Sequence, residues 1–129
     1  MVSGRFYVAN GILFIKNSTR SIVPLPYQGE IFFVNETCIS VLAMHEQDGR
    51  CKISLGQLEE ISLDREPDFR HTIDVPSRKV IVMLVPRVEV LALAISGDRA
   101  AVSVWMNDPV YANEVLIGIE QLADERRSV

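Results

Sequence analysis

Carboxylates are the most concentrated chemically active side chains in this sequence. Five of them lie between residues 57 and 69, with Arg65 as the counter-charge among them and Pro67 interrupting the run. Their spacing departs from the D-x-D-x-D-G pattern of calcium loops. Sequence also cannot pair them for acid–base catalysis, because the distant residues of a β-rich chain meet only on folding. Three interpretations stay open: a solvated loop, a surface for a basic partner, and a metal or catalytic site. The five are Glu59, Glu60, Asp64, Glu66 and Asp68.

Histidine and cysteine side chains are the other candidates for chemistry. A metal site needs several ligands that converge on one point, and the two histidines, His45 and His71, come from distant segments. We therefore predict solvent-facing or strand-end imidazoles and no metal. Cys38 and Cys51 each lie inside an apolar run, which predicts buried, reduced thiols. A two-residue hairpin turning at Asp48-Gly49 would place Cys38 far along the ladder from Cys51, so we predict no disulfide.

Catalytic and phosphate-binding motifs are absent from the sequence. It contains no G-x-S-x-G nucleophile motif. Neither G-x-x-x-x-G-K-[ST] nor G-x-G-x-x-G occurs, and the 7 glycines are scattered among turns. We therefore predict no catalytic residue, no cofactor and a protein that is not an enzyme.

The charge balance argues against nucleic acid as a ligand. The net charge is −4 at pH 7, which repels a phosphate backbone unless a strong basic patch compensates. The longest apolar runs, near residues 80–85 and 90–95, are far shorter than the ~20 residues that span a bilayer. The first residues also lack the pattern of a signal peptide. We predict a cytoplasmic protein that binds neither nucleic acid nor membrane.

Short β-type runs separated by turn residues dominate the chain. The runs at residues 5–9 and 12–15 flank Asn10-Gly11, the strongest short hairpin signal, so we expect a first hairpin there. Residues 51–55 alternate apolar and polar side chains, and residues 115–119 show a similar alternation. This period of two is typical of a strand buried on one face.

The number of such runs and the lack of a helical period predict an all-β fold. We expect an antiparallel β-sandwich of about 8–10 short strands, with a closed β-barrel as the alternative. Residues 1–120 would form this single domain, followed by a frayed charged tail at residues 121–129. The acidic stretch is expected to be a surface loop, anchored by Leu58 and Ile61 as a short helical turn or edge. Tyr27, beside Pro26 in another loop, is the best candidate for an exposed binding aromatic.

Three segments of the sequence carry a resemblance to a known family. They are SGRFYV at residues 3–8, IDVPS at residues 73–77 before an apolar strand, and SGDRAAVSVW at residues 96–105, a turn that leads into a late strand. This order of features resembles a bacterial β-sandwich family that includes the competence protein J type, an inhibitor of the DNA-entry nuclease. The resemblance implies a binding module that occludes a nuclease or toxin, and it transfers no individual inhibitory residue.

Two classes of function are compatible with these observations. We predict a small cytosolic protein-interaction module, an inhibitor or immunity-type partner of a basic enzyme such as a nuclease, because acidic side chains steer a basic partner and mimic phosphate. The partner-binding residues would be the five carboxylates together with Tyr27. The alternative is a small-molecule or carbohydrate-binding sandwich, or an enzyme without a local motif, built on loop residues such as Tyr27, His45 and His71. We expect a monomer or a closed homodimer.

Overall fold

A computed structural model of the chain describes residues 1–24, 29–61 and 63–122. These residues contain ten β-strands, one α-helix and two 3₁₀ turns. The strands are, in chain order, β1 (Val2–Phe6), β2 (Ile12–Lys16), β3 (Phe32–Val34), β4 (Cys38–Leu42), β5 (Cys51–Gln57), β6 (Phe69–Asp74), β7 (Lys79–Leu84), β8 (Val88–Ala94), β9 (Arg99–Met106) and β10 (Glu114–Gln121). The helix, α1, is the single turn Leu58–Ile61.

The strands form two five-stranded sheets that pack face to face. The first sheet has the order β1-β5-β10-β9-β6, and the second has the order β3-β4-β2-β7-β8. All neighbouring strands are antiparallel except β5 and β10, which are parallel. The described strands form two open sheets and no closed barrel. The predicted all-β sandwich is therefore confirmed, and the barrel alternative is wrong.

Alternating side chains fill the space between the sheets. On β5 the inward residues are Cys51, Ile53 and Leu55, and on β10 positions 115, 117 and 119 are equally buried. The alternation predicted for these two runs is thus confirmed. At one side of the sandwich the ring of Phe32 on β3 stacks on that of Phe69 on β6, with centroids 4.4 Å apart, so this contact bridges the two sheets.

Strand β2 is covered on both of its faces. Leu13 and Ile15 point into the core between the sheets, whereas Ile12 and Phe14 join a second apolar cluster on the outer face of the second sheet. Val23, in the segment that follows β2, packs against this outer cluster. A strand buried on both sides suits the middle of a sheet, which is where β2 lies.

The hairpin predicted around Asn10-Gly11 is wrong. Strand β1 pairs with β5 in the first sheet, and β2 pairs with β4 and β7 in the second. Asn10 and Gly11 do adopt positive φ angles, 60° and 66°, as the turn type requires. The 3₁₀ turn Ala9–Gly11 instead carries the chain from one sheet to the other. The sequence therefore predicted the turn correctly but not the strand pairing, which follows from the burial of β2 on both faces.

The segment around Asp48-Gly49 also joins the two sheets and is not a hairpin. It connects β4 of the second sheet to β5 of the first through the 3₁₀ turn Glu46–Asp48. Cys51 consequently lies in the central core, whereas Cys38 lies in the outer cluster; both are free and buried. The prediction of buried, reduced thiols is confirmed. Burial raises the pKa of each thiol to about 11, so both are protonated at neutral pH.

The last strand runs one residue into the predicted tail. Strand β10 ends at Gln121, and the N–H of Leu122 donates to the carbonyl of Arg99 at 3.2 Å. The rest of the predicted tail, residues 123–129, lies outside the described residues. In the part of the chain that the structure describes, no helix is long and apolar enough to cross a membrane.

Candidate functional site

The acidic stretch lies against the outer face of the first sheet. Helix α1 packs on β10 at Gly118, where an added Cβ would lie 3.0 Å from Cδ1 of Leu58 and 3.3 Å from Cζ3 of Trp105. A Cβ at this position would force a neighbouring atom to shift by a few tenths of an ångström, so glycine suits the close approach of the helix to the strand. Trp105 on β9 is 3% exposed, and its Nε1 donates to the carbonyl of Arg65 at 2.9 Å. The indole therefore supports the stretch from below and fixes the middle of it.

Two side chains of the stretch complete β9 beyond the end of its partner strand β6. The last backbone pairing is that of Phe69 with Val104. Beyond it, Oδ2 of Asp68 accepts from the N–H of Met106 at 2.7 Å, and Nη2 of Arg65 donates to the carbonyl of Met106 at 2.8 Å. Asp68 and Arg65 are also joined by two parallel hydrogen bonds of 3.0 and 3.1 Å. We call this pair the Arg65–Asp68 clamp; it satisfies strand groups that would otherwise lack partners.

Two of the five carboxylates are thus held by contacts within the chain. Asp68 belongs to the clamp, and Glu60 accepts from the amino group of Met1 and from the N–H of Gln57, both at 3.0 Å. The hydrogen bond from Arg65 is the largest cause that lowers the pKa of Asp68, and the bond from the amino terminus is the largest for Glu60. Both carboxylates are therefore ionised at neutral pH and already have partners.

The remaining carboxylates, Glu59, Asp64 and Glu66, form what we call the acidic surface. All three residues are exposed. Among the described residues, no cationic side chain lies within ion-pair distance of any of them. The structure therefore divides the predicted partner-binding carboxylates into two that hold the stretch in place and three that are available to another molecule.

A groove of about 550 Å³ lies beside the acidic surface. Leu58, Leu63 and Trp105 contribute apolar surface to it, and the side chain of Leu63 is 43% exposed. Arg70 also lines the groove and is paired with Glu120 at 3.2 Å. The groove offers apolar contact area next to unpaired negative charge, which is a combination suited to basic amphipathic side chains.

The two histidines have different neighbours. The Nδ1 atom of His45 accepts from the N–H of Gln47 at 3.2 Å, and the hydroxyl oxygen of Tyr111 accepts from the backbone N–H of His45 at 3.3 Å. His71 lies on β6 and packs against the ring of Phe69, with centroids 6.3 Å apart. Within residues 1–24, 29–61 and 63–122, no three His, Cys, Asp or Glu side chains are placed to hold a metal ion.

The sequence predicted that the acidic stretch lies at the surface, but it did not predict which side chains hold the stretch against the sheet. Tyr27, the sixth predicted contact residue, lies outside the described residues. The structure places Trp105 on the outer face of the first sheet, buried beneath the stretch. The available signal for the clamp was the opposite charge of Arg65 and Asp68 at a separation of three positions, which allows an ion pair within the stretch. Nothing local indicated their bonds to Met106.

Comparison with known proteins finds a match in structure and none in sequence. No protein-family model and no curated protein sequence matches the chain. Its structure superposes on the crystal structure of ComJ from Bacillus subtilis with a TM-score of 0.71, covering 95% of this chain and 96% of that one. The chain has the ComJ fold. The resemblance predicted from the three sequence segments is therefore confirmed at the level of the fold.

This chain and ComJ share a fold but little sequence. The two chains are 8% identical, so the likeness is carried by the arrangement of strands and transfers no individual side chain. ComJ is described as the inhibitor of the DNA-degrading activity of NucA. That description concerns ComJ alone.

Proposed function

We propose that this chain is an inhibitor-type protein-interaction module whose acidic surface binds a basic enzyme of the nuclease class. The observation that carries the proposal is the set of exposed carboxylates at Glu59, Asp64 and Glu66, which have no ion-pair partner among the described residues and belong to a stretch that the clamp and Trp105 hold against the sheet. A ComJ fold, found in a nuclease inhibitor, supports a binding function over a catalytic one. On this proposal the protein is not an enzyme.

Rigid support makes the acidic surface suited to recognition. The backbone of a frayed loop would have to be ordered on binding, at a cost of about 1–2 kcal/mol for each residue. Here the loop backbone is already fixed at Arg65 and Asp68 by bonds to β9. Three negative charges on one stretch also raise the rate of encounter with a cationic partner, an effect that falls with ionic strength.

The groove beside the acidic surface supplies the apolar part of the proposed interface. The aliphatic stem of a partner's lysine or arginine would lie against Leu63 and Leu58, with its charged end near Asp64 or Glu66. We place this interaction in the cytoplasm, between the partner and a monomer or closed homodimer of the chain, with no direct binding to nucleic acid or membrane.

Nuclease inhibition by the chain and by charge-reversed variants tests the proposal. DNA degradation by NucA of Bacillus subtilis, and by basic nucleases purified from the source organism, is measured with increasing amounts of the chain at low and high salt. We expect one of these nucleases to be inhibited at low salt and released as salt rises. The variant Glu59→Lys, Asp64→Lys, Glu66→Lys should slow association with that enzyme at least about tenfold.

A second triple variant controls for net charge. Glu30→Lys, Glu36→Lys, Glu46→Lys changes the charge by the same amount at exposed positions elsewhere, none of which is ion-paired within the described residues. It should retain inhibition. An equal loss in both triples would mean that overall charge, and not the acidic surface, attracts the enzyme; a nuclease inhibited equally well by all forms would show that another face binds it.

A further inference from the structure

The outer face of the second sheet carries a cavity with the opposite charge. It has a volume of about 350 Å³ and lies between the sheet and the segment that follows β2. We call it the basic cavity, because three cationic side chains line it together with an apolar floor. The cations and the main floor residues are Lys16, Arg20, Arg87, Phe14, Met83 and Val85.

Lys16 is the innermost of the three cations. It points to the outer face of the sheet, as do Ile12 and Phe14 at the alternate positions of β2, and only 1% of its surface is exposed. Its Nζ donates to the carbonyl of Ser21 at 2.5 Å and lies 5.9 Å from the centroid of the Phe14 ring. An ammonium group has three donors, so this lysine keeps hydrogen-bonding capacity beyond the carbonyl.

The positive charge of the basic cavity lacks a counter-ion among the described residues. No carboxylate there lies within ion-pair distance of Lys16, Arg20 or Arg87. Cys38 is the residue opposite Lys16 on β4. Its thiol is neutral, because burial raises its pKa to about 11 despite the nearby ammonium. Arg87 is close enough to disfavour the charged form of Lys16.

A buried cation without an anion is costly, and a chain of net charge −4 has carboxylates to spare for pairing it. The described carboxylates are nevertheless placed elsewhere. We propose that the basic cavity binds a small organic carboxylate that carries an apolar group. Its carboxylate would accept from Lys16 and from the guanidinium of Arg87, which lies near that lysine, a pairing that arginine favours, while its apolar part would cover Phe14 and Met83. The volume falls within the range of small-ligand sites.

Titration of the full chain with simple probes tests this site. Hexanoate and benzoate are added to isotope-labelled protein at pH 7, and amide chemical shifts are followed by NMR alongside calorimetry. We expect saturable shifts confined to β2, β7 and the cavity-lining segments 17–24 and 85–87, and none with the neutral analogues hexanol and benzyl alcohol. Lys16→Met and Arg87→Gln should each raise the dissociation constant about tenfold or more, the loss expected for one hydrogen bond to a charged group.

Lys52→Met is the matched control for the lysine variant. Lys52 has a 41% exposed side chain on the first sheet, so its replacement should leave the dissociation constants unchanged. Unchanged binding in Arg87→Gln would overturn the assignment even if Lys16→Met failed to fold. The assignment would also be overturned if the alcohols bound as tightly as the carboxylates, if inorganic phosphate were the one probe that saturated the site, or if no probe gave a saturable shift. None of these readouts involves a nuclease, so failure here leaves the proposed function intact.

Discussion

The outer faces of the two sheets carry charges of opposite sign, which are exposed to solvent on the first sheet and buried in part on the second. On the first sheet, Glu59, Asp64 and Glu66 are exposed to solvent on a stretch that is bonded to β9 at Arg65 and Asp68. On the second sheet, the ammonium of Lys16 lies beneath the segment that follows β2, and 1% of the residue is exposed. The exposed carboxylates keep their hydration, whereas the lysine has lost most of its own.

This difference determines what each face is able to bind. Hydrated charges act at a distance, attract a large basic partner and weaken with salt, because screening operates over about 10 Å at ordinary ionic strength. A desolvated cation acts at contact distance, and its interactions gain strength from the low local dielectric. The acidic surface is therefore suited to a protein, and the basic cavity to a small anion.

The largest effect is expected from removal of the indole beneath the acidic stretch. Trp105→Ala should lower the free energy of unfolding by about 3–5 kcal/mol, the range for deleting a buried aromatic side chain. Urea denaturation measures the loss. Trp105→Phe retains most of the packing but not the bond to the carbonyl of Arg65, so it should lose clearly less. A cost below about 1 kcal/mol for the alanine variant would mean that the stretch does not depend on this platform.

Loss of the clamp should have a smaller effect, with a distinct pH dependence. Asp68→Ala should lower the free energy of unfolding by about 2 kcal/mol at pH 7, chiefly because the N–H of Met106 loses a charged acceptor. The ion pair to Arg65 contributes less, since both side chains are a third or more exposed. Denaturation of both proteins across pH measures this difference.

The sign of the pH dependence follows from the lowered pKa of Asp68. The folded-state pKa lies below the ordinary value of 3.8, so the unfolded chain binds a proton first as pH falls. The stabilisation is complete above about pH 4–5 and is lost as pH falls through the folded-state pKa. Asp68→Asn keeps an acceptor for Met106 but cannot ionise, so its stability curve should lack this component. An Asp68→Ala deficit that is constant down to pH 2 would contradict the clamp.

The strands were predictable from sequence where their signal is local. Residues 51–55 and 115–119 alternate with a period of two, and both form strands with the expected faces inward. Pairing was not predictable from Asn10-Gly11, because turn chemistry does not specify whether the flanking strands pair with each other. The unbroken apolar run at residues 12–15 was the stronger signal, since a strand without alternation is covered on both faces.

The two charged faces differ in how much of them the sequence reveals. The surface position of the acidic stretch follows from its composition. Its division into held and available carboxylates does not, because Asp68 meets Met106 only through the pairing of β6 with β9, 38 positions along the chain. Lys16 ends an apolar run and shares a face with Ile12 and Phe14, but the segment that covers this face carries no periodic pattern that would have indicated burial.

The smallest effect is expected at Lys16, and it is a gain. Lys16→Met should raise the free energy of unfolding by about 1 kcal/mol at pH 7, because it replaces a buried, unpaired cation by an apolar side chain of similar length. Burial foremost, and then Arg87, lower the pKa of Lys16 below its ordinary value of 10.5. Between the folded-state pKa of Lys16 and 10.5, the folded protein releases the lysine proton before the unfolded chain does. The free energy of unfolding of the wild type therefore rises with pH across this range, and the advantage of methionine shrinks towards pH 10.5.

The double variant Asp68→Ala, Lys16→Met tests whether the two faces are energetically separate. Packed sheets lie about 10 Å apart, and Asp68 bonds to β9 of the first sheet whereas Lys16 lies on the outer face of the second, so the two changes should add within about 0.5 kcal/mol. Hexanoate should reduce the advantage of Lys16→Met, because it stabilises proteins that retain the lysine more than those that lack it, and it should do so equally with and without Asp68. A larger coupling would mean that the sandwich transmits changes between its faces, so that ligand in the basic cavity would alter binding at the acidic surface.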